Sequence, residues 1–313
     1  MSSPELSIVI PCHNEVENIP LLIDAFNELR SKLPSFELVF VDDGSKDKTI
    51  ESIQKEASRK QGYDVKLVKL SRNFGHQLAL LAGMQNAEGQ AIVSIDADLQ
   101  DPPSVIPTMV AEWKKGYDVV LGQRNDRSTD SIFKRMTADI FYRFMSYLTK
   151  GEFPRHVGDF RLVSKKVRDV LIKLRDVGPY WRGLVIWVGH KRTIVQYKRE
   201  ERRFGVTKYP FWKMFSFALD AVFSFSKRPL QLASYAGAVF SLVSFAYGTA
   251  YIVLRAAGYH NLVPGWTSIV AAVTFIGGLQ LVCLGIMGQY VGRIYEQVLE
   301  RPLVLIDSVE RLS

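Results

Sequence analysis

Ala91-Ile-Val-Ser-Ile-Asp-Ala-Asp-Leu-Gln-Asp101 is a short β-branched run that ends abruptly in carboxylates. Such a run reads as a buried strand, and the acidic groups where it stops read as a ligand site at the strand's carboxyl end. Four more runs share the pattern, at residues 6–10, 37–41, 65–68 and 118–121. Helix-length segments at 17–31, 47–59 and 76–86 separate the first four, and 104–115 precedes the fifth. This alternation predicts an α/β domain with a mainly parallel sheet covered on both faces. Ligands of such sheets bind beyond the carboxyl ends of the strands. The polar clusters Pro11-Cys-His-Asn-Glu15, Asp42-Asp-Gly-Ser45, Asp96 to Asp101 and Gly122-Gln-Arg124 fall there. No Gly-x-Gly-x-x-Gly follows the first strand and no Gly-Lys-Ser/Thr occurs, which argues against dinucleotide and P-loop chemistry.

Along an extended chain successive side chains alternate, so Asp96 and Asp98 are expected to point to one side and converge on one cation while Ala97 faces away. Carboxylates with substrate phosphates suit Mg2+ or Mn2+, which would neutralise a diphosphate leaving group. Helix caps and turns use the same residues. The second acidic pair, Asp42-Asp43, sits at another strand end and favours the metal-nucleotide reading.

The 313 residues are 47% hydrophobic, and they divide into two unlike parts. From Pro229 to Gly292 the chain holds one Arg (Arg255), one His (His260) and no Lys, Asp or Glu. Each half exceeds the ~20 residues that span a hydrocarbon core of ~30 Å. Arg255-Ala-Ala-Gly-Tyr-His-Asn-Leu-Val-Pro-Gly-Trp266 between them reads as a loop at the far interface. The expected layout is a catalytic domain at 1–208, an interfacial helix at 209–228, spans at 229–255 and 266–292 around a loop at 256–265, and a tail at 293–313. A buried helical hairpin of a soluble protein is the alternative. A second interfacial helix, or an ordinary core-facing one, is expected at 131–148. Glycines 277, 278, 285 and 288 offer surfaces for close helix packing.

The net charge of +8 is concentrated just before the oily part, where 187–228 carries ten Lys/Arg against three acidic residues. Such a band suits anionic headgroups or phosphorylated ligands, with a solvated surface run as the alternative; no nucleic-acid-binding motif accompanies it. Lys227, Arg228, Arg293 and Arg301 flank one side of the hairpin and Arg255 the other, which predicts both termini in the cytoplasm. Met1 to Glu5 leads directly into the first strand, so no signal peptide is expected. The two cysteines, Cys12 and Cys283, lie in such different settings that a disulfide is not expected.

Ile8-Val-Ile-Pro-Cys-His-Asn-Glu15, Val41-Asp-Asp-Gly-Ser45, Ser71-Arg-Asn-Phe-Gly-His76, Asp96-Ala-Asp-Leu-Gln-Asp-Pro-Pro103, Gly158-Asp-Phe-Arg161 and Arg203-Phe-Gly-Val-Thr-Lys-Tyr209 together resemble glycosyltransferase family 2. Within it they look like the polyprenyl-phosphate glycosyltransferases, which include dolichol-phosphate mannose synthases and bactoprenol glucosyltransferases. The resemblance covers nearly the whole chain, the two-helix tail included. It implies a GT-A fold, a nucleotide-diphosphate sugar donor with UDP-glucose foremost, a divalent cation, and inversion at the anomeric carbon. It further implies that Pro11, Asn14, Glu15, Asp42 and Asp43 line the nucleotide pocket, and that Asp96 and Asp98 hold the metal or the donor with Gln100 nearby. Asp159 falls at the reacting centre, and Arg124, Arg203 and Lys208 handle phosphates, the last two those of the acceptor. His13 stands where many relatives carry an aromatic residue. For Asp159 the alternative is a loop carboxylate paired with Arg155 or Arg161, and for Arg124 a surface ion pair.

A phosphate monoester acceptor has a second pKa near 6 and is already largely anionic at cytoplasmic pH. Asp159 is therefore expected to orient donor or metal more than to act as a base. The acceptor is expected to be polyprenyl (undecaprenyl) phosphate in the cytoplasmic membrane, glycosylated for the cell envelope and moved across by a separate flippase. The alternatives are a processive polysaccharide synthase, whose Gln-x-x-Arg-Trp motif is absent (Tyr180-Trp-Arg182 is not that motif), a non-catalytic polyprenyl-phosphate scaffold, and a nucleotide-sensing regulator. Relatives include tetramers, and Pro302-Leu-Val-Leu-Ile306 is a candidate strand for a neighbouring chain.

Overall fold

The computed structural model describes residues 4–59, 62–125, 157–174, 181–199, 228–257 and 265–312. The expected interfacial helices at 131–148 and 209–228 lie outside the described residues, except for Arg228, as do Arg155, Arg203, Lys208 and most of the expected far-side loop. The chain divides into two compact units, one formed by Met1–Met214 with Arg301–Ser313, the other by Phe215–Glu300.

The first unit is built on strands β1 (Leu6–Cys12), β2 (Phe36–Asp42), β3 (Asp64–Leu70), β4 (Ala91–Ser94), β5 (Val119–Arg124), β6 (Val157–Ser164), β7 (Arg192–Tyr197) and β8 (Ile306–Arg311). Their order in one sheet is β7-β5-β6-β4-β1-β2-β3-β8. Parallel pairing joins β2, β3 and β4 to the β1 core and β7 to β5. Both neighbours of β6 run antiparallel to it, as β3 does to β8. Every residue of β1 and β2 is buried, as expected for central strands covered on both faces. The strand order reverses between β1 and β4, the switch point where doubly wound sheets open a crevice.

Helices α1 (Asn18–Leu29), α2 (Thr49–Ala57), α3 (His76–Asn86) and α4 (Ile106–Lys114) fall within the segments expected to be helical. In α1 the helical spacing of Ile19, Leu22, Ile23, Phe26 and Leu29 buries one face against the sheet. Helix α3 approaches the sheet so closely that a Cβ on Gly83 would overlap Val9, with Val41 at 2.9 Å. Gly83→Ala should gain up to ~1 kcal/mol of helix propensity yet lose about 1–3 kcal/mol to overpacking. We expect a lower thermal midpoint for the purified variant; an unchanged midpoint would show that the interface relaxes. Helices α5 (Lys165–Leu171) and α6 (Trp181–Trp187) complete the described layers of this unit.

Three strands differ from expectation. β6, β7 and β8 are not among the strands expected from the sequence; β8 pairs with β3 of its own chain and overlaps the Pro302–Ile306 candidate only at Ile306. The cis pairing sets Ile306 opposite Leu70 and Arg311 opposite Lys66, and it adds a 2.6 Å ion pair from Lys69 to Glu310. The Asp-x-Asp segment also departs from an extended chain. β4 ends at Ser94, residues 97–98 form a turn, and Leu99 has a φ of 57°, so simple strand alternation does not govern Asp96 and Asp98.

Among the described residues the second unit holds α7 (Arg228–Ala256) and α8 (Trp266–Val298). Both are long and apolar enough to cross a membrane, over Pro229–Ala250 and Ala272–Val298. Their large apolar side chains face outward, Leu242 at 70% and Phe245 at 76% exposure, unlike a soluble core hairpin. Cys12 and Cys283 are free thiols.

Candidate active site

Antiparallel pairing of β6 with β4 sets Arg161 opposite Ser94, and the same register continued two pairs further on brings Asp159 level with the Asp96 position. His76, the first residue of α3, stands between these two carboxylates: its Nε2 is 3.4 Å from Asp96 Oδ1 and 3.9 Å from Asp159 Oδ2. Asp159 is clamped from behind by Arg161 Nη2 at 2.5 Å and Arg182 Nη2 at 2.9 Å, with Gln77 Nε2 donating at 3.4 Å. Burial alone would raise its carboxyl pKa. The Arg182 and Arg161 guanidiniums and His76 outweigh burial and hold it well below the usual carboxylate range. That direction favours an ionised Asp159 near neutral pH. Of the two alternatives considered for it, the Arg161 pair is present, although Asp159 lies in a strand and Arg182 is a second partner.

Asp96 is shifted the other way. Burial pushes its carboxyl up, His76 opposes, and the carboxylates of Asp159, Asp101 and Asp98 push further in the same direction as burial. Asp98 is almost fully buried and its Oδ1 accepts the Gln100 amide at 3.1 Å, the turn role such residues commonly play. Among the described residues no group of three or more His, Cys, Asp or Glu is arranged to hold a metal ion unaided.

Arg124 ends β5 and pairs with Tyr197 at the end of β7 in register. Its Nε reaches Tyr197 Oη at 3.2 Å and its Nη2 lies 3.4 Å from Asp101, which also accepts the Tyr197 hydroxyl at 2.6 Å. Burial and the adjacent Asp101 push the Tyr197 phenol up, so it remains a donor. Arg124 is therefore in the ion pair that its alternative reading expects, with the partner Asp101 buried and 27% of its own side chain exposed. Gln100 accepts a hydrogen bond from Arg199 just beyond β7.

The remaining expected residues gather beyond β1 and β2. Pro11 is buried within β1 opposite Val41. Asn14, in the left-handed region at φ 57°, ties two loops together: its amide donates to Ser45 Oγ at 3.0 Å and its Oδ1 accepts from the Lys46 amide at 2.8 Å. The Glu15 amide donates to Thr49 Oγ1 at 2.9 Å, and its carboxylate accepts from Asn18 at 2.6 Å. Asp43 accepts the Phe74 and Gly75 amides at 2.7 and 2.9 Å, bracing the loop that leads to His76. Gly44 at φ 66° lets that loop pass, since a Cβ there would lie 2.7 Å from the Asn73 nitrogen. Only Asp42 of this group lines the adjoining cavity of about 560 Å³, with His13, Ser45, Lys69, Arg72 and Asp307 among its other walls. Asp42 Oδ2 accepts the Ser45 amide at 3.2 Å, while its Oδ1 is buried with no partner.

His76, Arg182, Asp101, Tyr197 and Asp307 escaped the sequence reading. His76 and Asp101 lie inside the quoted motifs, and Arg182 is a charged residue in the otherwise apolar helix Trp181–Trp187, a signal that could have found it.

A sheet reversing at β1 and β4, with carboxylates after β4 and on β6, defines a GT-A glycosyltransferase. Residues 7–171 match the model of glycosyl transferase family 2, and the chain belongs to that family. It is 42% identical to an uncharacterised glycosyltransferase of Synechocystis over 97% of this chain and 95% of that one. Identity is 40% with a prophage bactoprenol glucosyl transferase homolog of Escherichia coli, covering 98% of this chain and all of the other. With the bactoprenol glucosyl transferase of Shigella phage SfII it is 39%, over 98% and 99%. Among solved structures, glucosyl-3-phosphoglycerate synthase of Mycobacterium tuberculosis, crystallised with Mn2+, UDP and phosphoglyceric acid, shares the fold at a TM-score of 0.52 and 18% identity over 71% of this chain and 77% of that one.

Proposed function

We propose that this enzyme is an inverting, membrane-bound glycosyltransferase that moves a hexose, first of all glucose from UDP-glucose, onto polyprenyl (undecaprenyl) phosphate at the cytoplasmic face of the membrane. The observation that carries the reading is the meeting of Asp96 and Asp159 around His76 at the sheet's switch point. The lipid acceptor is supported by relatives named bactoprenol glucosyl transferase, whose likeness extends through the apolar helices.

The acceptor phosphate needs little deprotonation near neutral pH. Asp159, held ionised by two arginines, is a poor proton acceptor and serves instead to fix Arg161 and Arg182 beside the donor sugar. The acceptor oxygen then bonds to the anomeric carbon from one face as the bond to the diphosphate breaks on the other, which inverts the configuration. Asp42 and its cavity receive the nucleoside, while Asn14, Glu15 and Asp43 shape the cavity's loops. Arg124 balances phosphate charge, and Arg203 and Lys208 hold the acceptor phosphate. Asp96 and Asp98 are the residues to hold Mg2+ or Mn2+, because the carboxylates that crowd Asp96 create an excess of negative charge that a cation relieves. When bound, the ion neutralises charge building on the departing diphosphate.

Strand β8 belongs to the catalytic unit, so the chain returns to one compartment after α7 and α8, which supports an even number of crossings. The basic residues flanking the helices favour the cytoplasm for that compartment.

Membranes containing the enzyme, given radiolabelled UDP-glucose, Mg2+ and undecaprenyl phosphate, should yield a mild-acid-labile lipid-linked monosaccharide. A polymer, or no lipid product with any of a panel of nucleotide-sugars, would sink the reading. Charge reversal of Arg203 together with Lys208 should raise the acceptor KM more than the donor KM, and an unchanged acceptor KM would remove both residues from the acceptor site.

A further inference from the structure

The cavity beyond β2 and β3 has one wall that comes from far along the sequence. Ser71 donates its amide to the Leu305 carbonyl at 3.0 Å, and Ile306 pairs with Leu70 just beyond a register shift at Lys69/Leu70. That irregularity re-aims the end of β3. The result sets Asp307 among the cavity's lining residues together with Asp42 and Arg72.

The electrostatics of this space are mixed. Lys69 is matched by Glu310 at 2.6 Å, and the Arg72 guanidinium lies over the Phe74 ring at 4.1 Å. Asp42 keeps a buried, unpartnered Oδ1. An ionised carboxylate only accepts hydrogen bonds, and a buried acceptor without a donor is costly until a ligand supplies one. Nucleosides supply such donors from base N–H groups and ribose hydroxyls, and a diphosphate supplies none. The two Asp side chains therefore suit the nucleoside end of a donor, while Lys46 and Arg72 of the same lining suit its phosphates.

We infer that Asp307, on the strand that follows the two apolar helices, is a nucleoside-binding residue of the donor site and sets its base preference jointly with Asp42. The inference rests on the nucleotide-sugar reading above. It makes donor binding depend on β8 remaining docked on β3, and by linkage bound nucleotide must hold β8 in place.

The test uses the purified full-length protein in nanodiscs and titrates UDP with Mg2+ by calorimetry against wild type, Asp42→Asn, Asp307→Ala, Asp307→Leu and Ser308→Ala. Loss of one hydrogen-bonding partner predicts UDP binding weaker by about fivefold or more in Asp307→Ala. Ser308→Ala, on the same strand, should bind as wild type. Hydrogen exchange at residues 306–309 of wild type should slow when UDP is added. If Asp307→Ala lowers the thermal midpoint, Asp307→Leu, which nearly keeps the side-chain size and accepts no hydrogen bond, decides. UDP affinity retained in the Asp307 variants but lost in Asp42→Asn overturns this inference and leaves the proposed function standing. A wild-type protein that binds none of UDP, GDP or CDP overturns both.

Discussion

Replacing Asp159 by Asn is expected to lower kcat by about a hundredfold or more, with no recovery as pH is raised. The carboxylate is buried between Arg161 and Arg182 and is held ionised far below its ordinary pKa. A general base removed from a reaction can be replaced in part by hydroxide, so its loss is relieved at high pH; loss of an anion that positions two arginines is not. The pH–rate profile of Asp159→Asn should therefore run parallel to that of wild type across the neutral and alkaline range. Activity that returned on the alkaline side would restore Asp159 as a base. Asp159→Ala should be worse, because Asn keeps an oxygen that can accept from an arginine whereas Ala keeps none and leaves a void beside the buried Arg161. Linkage fixes the sign of the acid response. A carboxylate whose folded pKa is depressed stabilises the fold above its unfolded pKa of ~3.9, and that contribution is lost as pH falls through and below this value. Wild type should accordingly lose stability in acid more steeply than Asp159→Asn.

The second large effect is expected on removal of divalent cations. Metal-assisted stabilisation of a leaving diphosphate is worth several kcal/mol, so chelation should slow turnover by at least about a hundredfold, with Mg2+ or Mn2+ restoring it. Asp98 makes the experiment discriminating. Its Oδ1 accepts the Gln100 amide, a bond that an Asn side chain can also accept. If Asp98 only shapes the turn, Asp98→Asn should be close to wild type while Asp98→Ala is impaired. If its charge holds a cation, both should fail alike and require more Mg2+ than wild type. A chelated wild-type enzyme that kept its rate would end the metal reading for Asp96 and Asp98.

The strands legible in the sequence, β1 to β5, have short apolar runs broken by no more than one polar residue, such as Lys66 in β3, because most of their residues are buried. β6 is equally buried, yet it carries Asp159 and Arg161 inside the strand, and those charges disguised it. Their spacing did contain the answer, since residues i and i+2 of a strand share a face. The partnership with Arg182 was not legible, because it depends on how α6 packs. Strand β7 alternates between exposed and partly buried positions over only six residues, a weak pattern. At the Asp-x-Asp segment an extended chain was the natural extrapolation from the preceding strand, and it failed because the backbone turns as soon as β4 ends. The acidic residues read as one group in the sequence, and the structure gives each its own contacts: Asp43 braces backbone amides, Asp42 lines a cavity, and Asp101 is tied to Tyr197 and Arg124.

The edge of the sheet at β3 is closed by a strand that the ribosome makes only after both apolar helices. Until then β3 presents a row of unpaired backbone groups, the kind of edge that invites aggregation. Completion of the catalytic sheet is therefore timed to follow synthesis of the hairpin, and a chain cut short within it would be left with an open edge for chaperones and proteases to recognise.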